Sequence, residues 1–481
     1  MSTGRNLLKN TLALSVPNFL NPVISFVLVL VISRYMGVRG LGQYSLVLSY
    51  MAVFVILAPL GLSTLIVREV AKGPDDAHAV LINAGLFATI SSLVAMVGMN
   101  ALVWAMDYER EIFLASLIIS LSLVTSTWAS YEEAILRAVE RSEFIAVTYV
   151  VENVIRVSIC TFLVLTEHGI VSLFCAILGT RFFAFCLMSF FYIRAVGKPR
   201  WEFRPEIWRL MTQQAPTFAS IALFSTIHLS IDQIILSKLR SVDSVGIYSA
   251  ADRLLDICKT FPMAFAAALL PLFAREFVQG LPNLRQLVVT ATRYLFLGTL
   301  PVVVGTVVLG DQIITLIYGQ RFDAVIPVLR LHIVSLVPFS LVYILAYVLI
   351  ATDNQRIDLS INAVAVGVNI ALCFLFIPRL AEMGAVLATL VTIVMFNQLQ
   401  YWYIKHYLFS LPFLKMMAKA LLAAGGMAII TYSLRGLNLF ANVAVSAGAY
   451  FLLVFLLKAF SPEEIGFLKG LLRTRRNQGG T

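Results

Sequence analysis

The chain has 481 residues, of which 60% are hydrophobic and 13% are charged. An average soluble domain is roughly 45–50% apolar and about 25% charged, so this composition excludes an ordinary soluble protein and predicts an all-α polytopic membrane protein. The formal net charge of +10 comes from basic residues spread over many loop ends. Such a spread fits contact with anionic membrane lipids, and we expect no nucleic-acid partner.

The apolar runs predict about fourteen membrane-spanning helices, because about 20 helical residues cross a hydrocarbon layer of about 30 Å. The first run lacks a convincing small-residue cleavage site, which favours a retained helix over a removed signal peptide. The connections are too short for a separate soluble domain. In chain order the predicted spans lie near residues 11–33, 42–66, 79–105, 112–134, 143–165, 169–193, 209–236, 245–274, 286–309, 324–350, 357–377, 383–404, 413–434 and 438–459.

Basic residues are concentrated on one predicted side of the membrane. The main contributors are "RAVGKPRWEFRPEIWR" (residues 194–209) and "LKGLLRTRR" (residues 468–476). By the positive-inside rule this bias predicts that both termini are cytoplasmic, which agrees with an even number of spans.

A short segment recurs in the two halves of the chain. "SRYMGVRGLGQYS" (residues 33–45) and "SKLRSVDSVGIYS" (residues 237–249) align Ser, a basic residue, Val, Gly, Tyr and Ser at a constant offset. Each copy follows an apolar helix and precedes a second helix that ends in Arg-Glu. The pattern predicts a parallel repeat related by an axis along the membrane normal.

The repeat predicts two pseudo-symmetric six-helix lobes that can rock to expose a central cavity alternately on each side. We expect an N-terminal lobe at 1–195, a basic cytoplasmic linker at 196–208 and a C-terminal lobe at 209–407. Residues 408–481 then form two extra helices and a basic cytoplasmic tail.

The residues give no sign of enzyme chemistry. The five cysteines fall in apolar spans without CxxC spacing, so we expect neither disulfides nor a metal site. We find no nucleotide-binding motif and no paired carboxylates in a soluble cleft. The chain is therefore predicted to be no enzyme and to carry no cofactor.

Several longer segments resemble the polysaccharide-biosynthesis flippases of the MOP exporter superfamily, whose Wzx-type members flip O-antigen precursors. These segments are "YGQRFDAVIPVLRLHIVSLVPF" (residues 318–339) and "ATDNQRIDLSINAVAVGVNIALCFLFIPRLAEMGAVLATLV" (residues 351–391). "IDQIILSKL" (residues 231–239) is similar to the Asp-containing end of the family's seventh helix. One departure lies near Ala381, where the family usually places Gly or a similar small residue.

The resemblance implies a flippase that moves undecaprenyl-pyrophosphate-linked oligosaccharide from the cytoplasmic to the outer leaflet of a bacterial inner membrane. Its implied partners are this lipid-linked oligosaccharide, membrane lipids, a polysaccharide polymerase and other assembly proteins. Two rival hypotheses stay open: a cation-coupled multidrug antiporter of the same fold, and a non-transporting scaffold of a glycan-assembly complex. The flippase needs a cationic cavity for pyrophosphate, whereas an antiporter favours acids and aromatics.

Basic residues within predicted spans are the candidates for that cavity. Each costs roughly 2.5–3.5 kcal/mol on insertion scales, so it is expected to line a cavity or to pair. They are Arg156, Arg181, Arg253, Lys259 and Arg330.

The predicted eighth helix, residues 245–274, carries four charged residues within eight positions: Asp252, Arg253, Asp256 and Lys259. Asp252, Asp256 and Lys259 share a face, and Asp256 can neutralise Lys259 from three residues earlier. Arg253 either faces the central cavity and contacts phosphate, or closes a charge network within its own helix.

The other cations differ in the acids within their reach. Arg156 follows Glu152 by one turn, so it either forms a self-neutralised pair or lines the cavity. Arg181 has no acid within helical reach and needs substrate phosphate or a carboxylate of another helix. Arg330 lies near the outer end of its helix, where we expect snorkelling or pairing.

Intramembrane acids raise the question of energy coupling. Without a nucleotide site, uphill transport would draw on a proton or sodium gradient, with Glu152, Asp232 and Asp256 as the candidate sites. Downhill flipping driven by consumption of the product is the alternative.

Overall fold

The computed structural model describes residues 2–73 and 76–458, with side chains described from residue 21 onward except at 217–218 and 220–230. Within these residues the chain forms α-helices, two short 3-10 helices (Gln320–Phe322 and Ile333–Ser335) and no strand, which confirms the all-α prediction. The α-helices are α1 (Ser2–Leu57), α2 (Ser63–Lys72), α3 (Ala77–Ala105), α4 (Arg110–Ser120), α5 (Ser122–Ala138), α6 (Ser142–Leu165), α7 (Ile170–Ala195), α8 (Pro205–Leu239), α9 (Val242–Gln279), α10 (Leu281–Ile317), α11 (Val325–His332), α12 (Leu336–Ala351), α13 (Gln355–Leu380), α14 (Glu382–Tyr407), α15 (Phe413–Ser433) and α16 (Leu439–Leu456).

Twelve helical segments of the described chain are long and apolar enough to cross a membrane. One of them, Asn21–Leu57, overlaps two predicted spans, 11–33 and 42–66, because α1 is broken at Gly37. A further predicted span, 209–236, coincides with α8, much of whose side-chain structure is not described. The helices therefore agree with the prediction of about fourteen spans.

The backbone of α1 breaks at Gly37, which has φ 69° and ψ −165°. Glycine lacks a Cβ and adopts positive φ readily, so it can turn the chain without ending the run of apolar residues. The predicted span 42–66 was wrong at its end, because α1 stops at Leu57. The chain then turns through positive φ at Leu60 and Gly61 before α2 begins.

A second turn lies where the chain departs from the family pattern. Ala381 connects α13 to α14 with φ 50°. Glycine meets the least strain in this left-handed region, so Ala381 bears a conformational cost that a glycine would avoid.

Contacts divide the chain into two units. Unit 1 contains Met1–Arg253 and Asn362–Ala388, and unit 2 contains Leu254–Ile361 and Thr389–Thr481. In unit 2, the Tyr450 hydroxyl donates to the Leu297 carbonyl at 2.9 Å and fastens α16 to α10. The predicted lobe boundaries remain a prediction.

The two copies of the predicted repeat have matching local geometry within unit 1. The Ser33 hydroxyl donates to the carbonyl of Leu30 at 2.8 Å, and the Ser237 hydroxyl donates to the carbonyl of Ile234 at 2.7 Å. The break at Gly37 also aligns with the gap between α8 and α9.

The two copies touch each other through their glycines. A Cβ added to Gly42 would lie 2.1 Å from the carbonyl oxygen of Val242, and one added to Gly246 would lie 2.1 Å from that of Val38. The repeat aligns Gly42 with Gly246 and Val38 with Val242. The contact is therefore reciprocal, as expected for two helices related by a local twofold axis, and it requires glycine at both positions.

We expect Gly42→Ala and Gly246→Ala each to destabilise the protein, since the new methyl group would meet a backbone carbonyl of the other helix. Overpacking of this kind costs about 1–3 kcal/mol and should lower the Tm of the purified protein. Gly367→Ala in α13 is the matched control, because an added Cβ there meets nothing within 4 Å.

The double variant Gly42→Ala, Gly246→Ala tests whether the two contacts belong to one crossing. Once the first methyl group has moved the helices apart, the second should cost less than it does alone. Fully additive losses of Tm would contradict a reciprocal contact.

Candidate functional site

Buried amide groups join α6 to α1 and fix the position of Arg156. The Asn153 side chain is 1% exposed and donates to the Asn21 carbonyl at 3.0 Å. Its oxygen accepts from the Ser25 hydroxyl at 3.2 Å and from Nη2 of Arg156 at 2.5 Å. The guanidinium group is thereby held one turn along α6 from Asn153.

The pair predicted between Arg156 and Glu152 is present. Nε of Arg156 lies 3.4 Å from Oε1 of Glu152, and the two side chains are 17% and 14% exposed. The charges attract, yet Nε of Arg156 makes no hydrogen bond within the described residues. One donor of this guanidinium group is therefore unused.

Arg181 differs from Arg156 because no described carboxylate forms an ion pair with it. Its Nη1 donates to the Ser126 hydroxyl of α5 at 3.3 Å, and its buried Nε has no hydrogen-bond partner among the described residues. Glu152 acts on it only at longer electrostatic range. The need for an external partner, predicted from the sequence, is thus not met by a direct carboxylate contact.

Three predicted cations converge on Tyr44 in unit 1. Tyr44 is 4% exposed and packs against Phe174, with ring centroids 5.9 Å apart. The guanidinium groups of Arg156, Arg181 and Arg253 each act electrostatically on its hydroxyl. We call this set, together with Glu152, the Tyr44 cluster.

Two groups in this region keep accessible surface. Arg181 is half-buried, and its electrostatic neighbour Tyr149 keeps 41% of its surface accessible. A polar ligand can therefore approach both side chains.

The predicted pair between Lys259 and Asp256 is found in unit 2. Nζ of Lys259 lies 2.9 Å from Oδ1 of Asp256, with the two side chains 19% and 44% exposed. The same ammonium group lies 5.3 Å from the ring centroid of Phe339, within cation–π range. Arg330 also pairs as predicted, with Nη2 at 3.4 Å from Oδ1 of Asp311.

Asp232 lies in a separate polar site of unit 1, where α8, α9 and α13 meet. It is 7% exposed and accepts from the Tyr248 hydroxyl at 3.2 Å and from Sγ of Cys373 at 3.3 Å. Nδ2 of Asn369, one turn from Cys373, is buried without a hydrogen bond within the described chain. The sequence indicated Asp232 but gave no sign of these three neighbours, except the spacing of Asn369 and Cys373 on one helix face.

Two buried acids of α5 were not singled out from the sequence. Glu132 is 4% exposed and Glu133 is 7% exposed. Glu133 pairs with Arg137 one turn later and accepts from the Tyr149 hydroxyl. Adjacent acids at the end of an apolar run were the available signal.

Unit 2 also contains an apolar cavity of about 680 Å³. Side chains of α10, α12, α14 and α15 line it, and Asn397 and Gln398 are its main polar groups. A second apolar cavity, of about 500 Å³, lies in unit 1 beside Phe54, Phe87 and Trp208. Both can accommodate hydrocarbon.

Residues 7–277, more than half of the chain, match the family model described as polysaccharide biosynthesis protein. The chain belongs to this family. A second family model, described as MatE, matches residues 216–375. No curated protein is similar enough to the chain to count as a match.

Solved structures show the fold of this family member to be that of MOP superfamily transporters. The lipid II flippase MurJ in an inward closed conformation matches with a TM-score of 0.78 and 16% identity, over 92% of this chain and 98% of that one. An inward-facing multidrug resistance MATE family transporter matches with a TM-score of 0.66 and 14% identity, over 82% of this chain and 98% of that one. A MOP superfamily transporter from Pyrococcus furiosus Vc1, whose binding pocket of reverse polarity suggests a different function, matches with a TM-score of 0.58 and 14% identity, over 82% and 96%.

The burial of the two predicted acid–base pairs leads to a stability prediction. Removing one partner of a buried pair costs roughly 3–5 kcal/mol, whereas an exposed pair contributes about 0.2–1 kcal/mol. We therefore expect Glu152→Gln to lower the unfolding temperature in detergent more than Asp256→Asn, whose acid is 44% exposed. Equal losses would show that the two pairs are equally screened by water.

Proposed function

We propose that the protein moves undecaprenyl-pyrophosphate-linked oligosaccharide from the cytoplasmic to the outer leaflet of a bacterial inner membrane by alternating access. The Tyr44 cluster is the observation that carries this proposal. Pyrophosphate is a dense anion, and guanidinium forks match phosphate oxygens with paired, charge-assisted hydrogen bonds. Membership of the polysaccharide biosynthesis family supports a glycan precursor as the cargo.

Unused donors in the cluster support a phosphate ligand. Nε of Arg156 and Nε of Arg181 are buried without hydrogen bonds in the part of the chain that the structure describes. A buried donor that lacks a partner costs about 1–3 kcal/mol, and more when it belongs to a charged group. Phosphate oxygens would remove this cost and neutralise the guanidinium charge, so anion binding is favourable here.

An apolar cavity supports the lipid part of the same substrate. Exposing an isoprenoid chain to water would cost about 25 cal/mol for each Å² of apolar surface, so an apolar wall beside the polar groups avoids this cost. The 500 Å³ apolar cavity of unit 1, the unit that contains the Tyr44 cluster, supplies such a wall. The glycan and pyrophosphate would occupy the polar interior while the chain stays in apolar surroundings.

The proposal includes an orientation and partners. Both termini lie in the cytoplasm, so the basic segment at residues 194–209 meets the anionic inner leaflet. A polysaccharide polymerase and other assembly proteins receive the flipped precursor.

A multidrug antiporter is the second candidate, because residues 216–375 match the MatE family model. These residues include Asp232 and Asp256, the acids that a cation-coupled mechanism would use. Against this candidate, organic cations would be repelled by the guanidinium groups of Arg156, Arg181 and Arg253. The MOP superfamily transporter from Pyrococcus furiosus, for which a binding pocket of reverse polarity suggests a different function, has a similar fold. Proteins of this fold therefore need not share the pocket charge that an antiporter of organic cations requires.

The first experiment measures lipid-linked oligosaccharide on each face of the inner membrane after deletion of the gene in its own host. We expect accumulation in the inner leaflet, rescue by the wild-type protein, and failure of rescue by Arg181→Gln or Arg253→Gln. A hydrogen bond to a charged group contributes about 1.5–3 kcal/mol, so each variant should lose roughly 10- to 100-fold in flipping rate. Arg330→Gln is the control from outside the Tyr44 cluster, because Arg330 also has a buried Nε without a described hydrogen bond but is paired with Asp311.

Other outcomes identify the rival functions. If deletion leaves the leaflet distribution of lipid-linked oligosaccharide unchanged but alters drug sensitivity, the protein is an antiporter and not a flippase. Full rescue by both Arg181→Gln and Arg253→Gln at normal protein levels would contradict the hypothesis of a cationic substrate site. It would favour the hypothesis of a non-transporting scaffold.

We further propose that Asp232 couples transport to a proton or sodium gradient. It is 7% exposed, and its carboxyl group accepts hydrogen bonds from two neutral donors, Tyr248 and Cys373. Asp232→Asn removes the negative charge and keeps one accepting oxygen, so it should make flipping in proteoliposomes insensitive to an imposed gradient. Exposed Asp243, in the turn that begins α9, gives the control Asp243→Asn.

The gradient experiment separates coupling from flipping. If the wild-type protein flips the substrate at the same rate with and without proton and sodium gradients, coupling is excluded while the flippase stands.

A further inference from the structure

Glu132 is a buried carboxyl group with one unused oxygen. It is 4% exposed in α5, and its Oε1 accepts from the Ser189 hydroxyl of α7 at 2.7 Å. Its Oε2 is buried and has no hydrogen-bond partner among the described residues. A carboxylate would keep an unsatisfied charge on this oxygen.

Glu133, the neighbouring acid in α5, shows which partners stabilise a charged carboxylate in this helix. Glu133 pairs with Arg137 and also accepts from the Tyr149 hydroxyl. Glu132 forms no ion pair with any described Lys or Arg side chain, and its described hydrogen bond comes from a neutral hydroxyl. Burying an unpaired charge costs several kcal/mol, so the neutral acid is the favoured form at this position.

We propose that Glu132 is a proton-binding site inside the helix bundle of unit 1. A proton on Oε2 neutralises the group while Oε1 keeps the hydrogen bond from Ser189. A metal cation is a poorer fit, because hard cations take six or more oxygen ligands and the described neighbours of Glu132 supply one hydroxyl.

Two titratable groups form the electrostatic surroundings of this site. Tyr192 of α7 is 0% exposed and lies within electrostatic range of Glu132. Its hydroxyl lies 3.1 Å from Nδ1 of His78, which is half-buried in the first turn of α3. No hydrogen bond joins Tyr192 to Glu132 among the described residues, so neither group satisfies Oε2.

The titratable and charged groups around Glu132 come from three helices. α5 contributes Glu133 with its partner Arg137, α7 contributes Tyr192 and α3 contributes His78. Proton binding is balanced, because the proton that Oε2 takes up comes from water and returns to water.

This inference goes beyond the proposed function, since a proton site at Glu132 would exist whether the cargo is a glycolipid or a drug. It also differs from Glu152, Asp232 and Asp256, the acids that the sequence suggested for coupling. Its test therefore reads the proton directly.

The experiment is infrared difference spectroscopy on the full-length protein in lipid nanodiscs at neutral pH. We expect a carboxylic-acid C=O band in the wild-type protein that is lost in Glu132→Gln and kept in Glu133→Gln. Ser189→Ala, which retains Glu132 itself, should shift this band without removing it. Transfer into deuterated buffer should shift the band, because the proton on Oε2 is exchangeable.

Three results would overturn the proposal. These are a band that survives Glu132→Gln, a band that is lost equally in Glu133→Gln, and a wild-type band that sodium removes at constant pH. The last result would assign the site to a metal cation. If Glu132→Gln does not fold, as judged by its elution and Tm, the band shift in Ser189→Ala decides, and an unshifted band counts against the site.

Discussion

Backbone contact between Gly42 and the α9 copy of the repeat is the constraint on which the polar sites of unit 1 depend. The reciprocal approach of Gly42 and Gly246 leaves no room for side chains, so the two helices are fixed in register. Each glycine precedes a tyrosine by two residues. Tyr44 is thereby placed among guanidinium groups, and Tyr248 is placed on Asp232. The crossing at Gly42 and Gly246 thus positions Tyr44 in the Tyr44 cluster and Tyr248 in the polar site of Asp232.

The two copies of the repeat keep a shared backbone and have opposite electrostatic surroundings. Tyr44 meets Arg156, Arg181 and Arg253, whereas Tyr248 donates its hydroxyl to a carboxylate. The geometry of the repeat depends on glycines and hydrogen bonds close in sequence, which both copies retain. The charge of each site depends on side chains from other helices, so it could diverge without disturbing the crossing. This separation lets one fold place a tyrosine near guanidinium groups in one copy and a tyrosine on a carboxylate in the other.

The features that could be predicted from the sequence are those that depend on neighbouring residues. Apolar length gave the helices, and helical spacing gave the pair of Arg156 with Glu152 and that of Lys259 with Asp256. The end of the span at 42–66 was missed, since its turn interrupts a run that stays apolar. The partners of Asp232 could not be predicted, because Cys373 lies on a helix far along the chain.

Charges inside the bundle fall into two kinds according to how completely their hydrogen bonds are satisfied. Lys259 is paired with an acid on its own helix. Nε of Arg181 and Oε2 of Glu132 are buried without hydrogen bonds from described residues. The folded chain bears the free-energy cost of these two groups, which an anion would relieve at the first and a proton at the second. Because each ligand relieves a cost already present in the folded chain, incomplete satisfaction favours binding where a closed pair would oppose it.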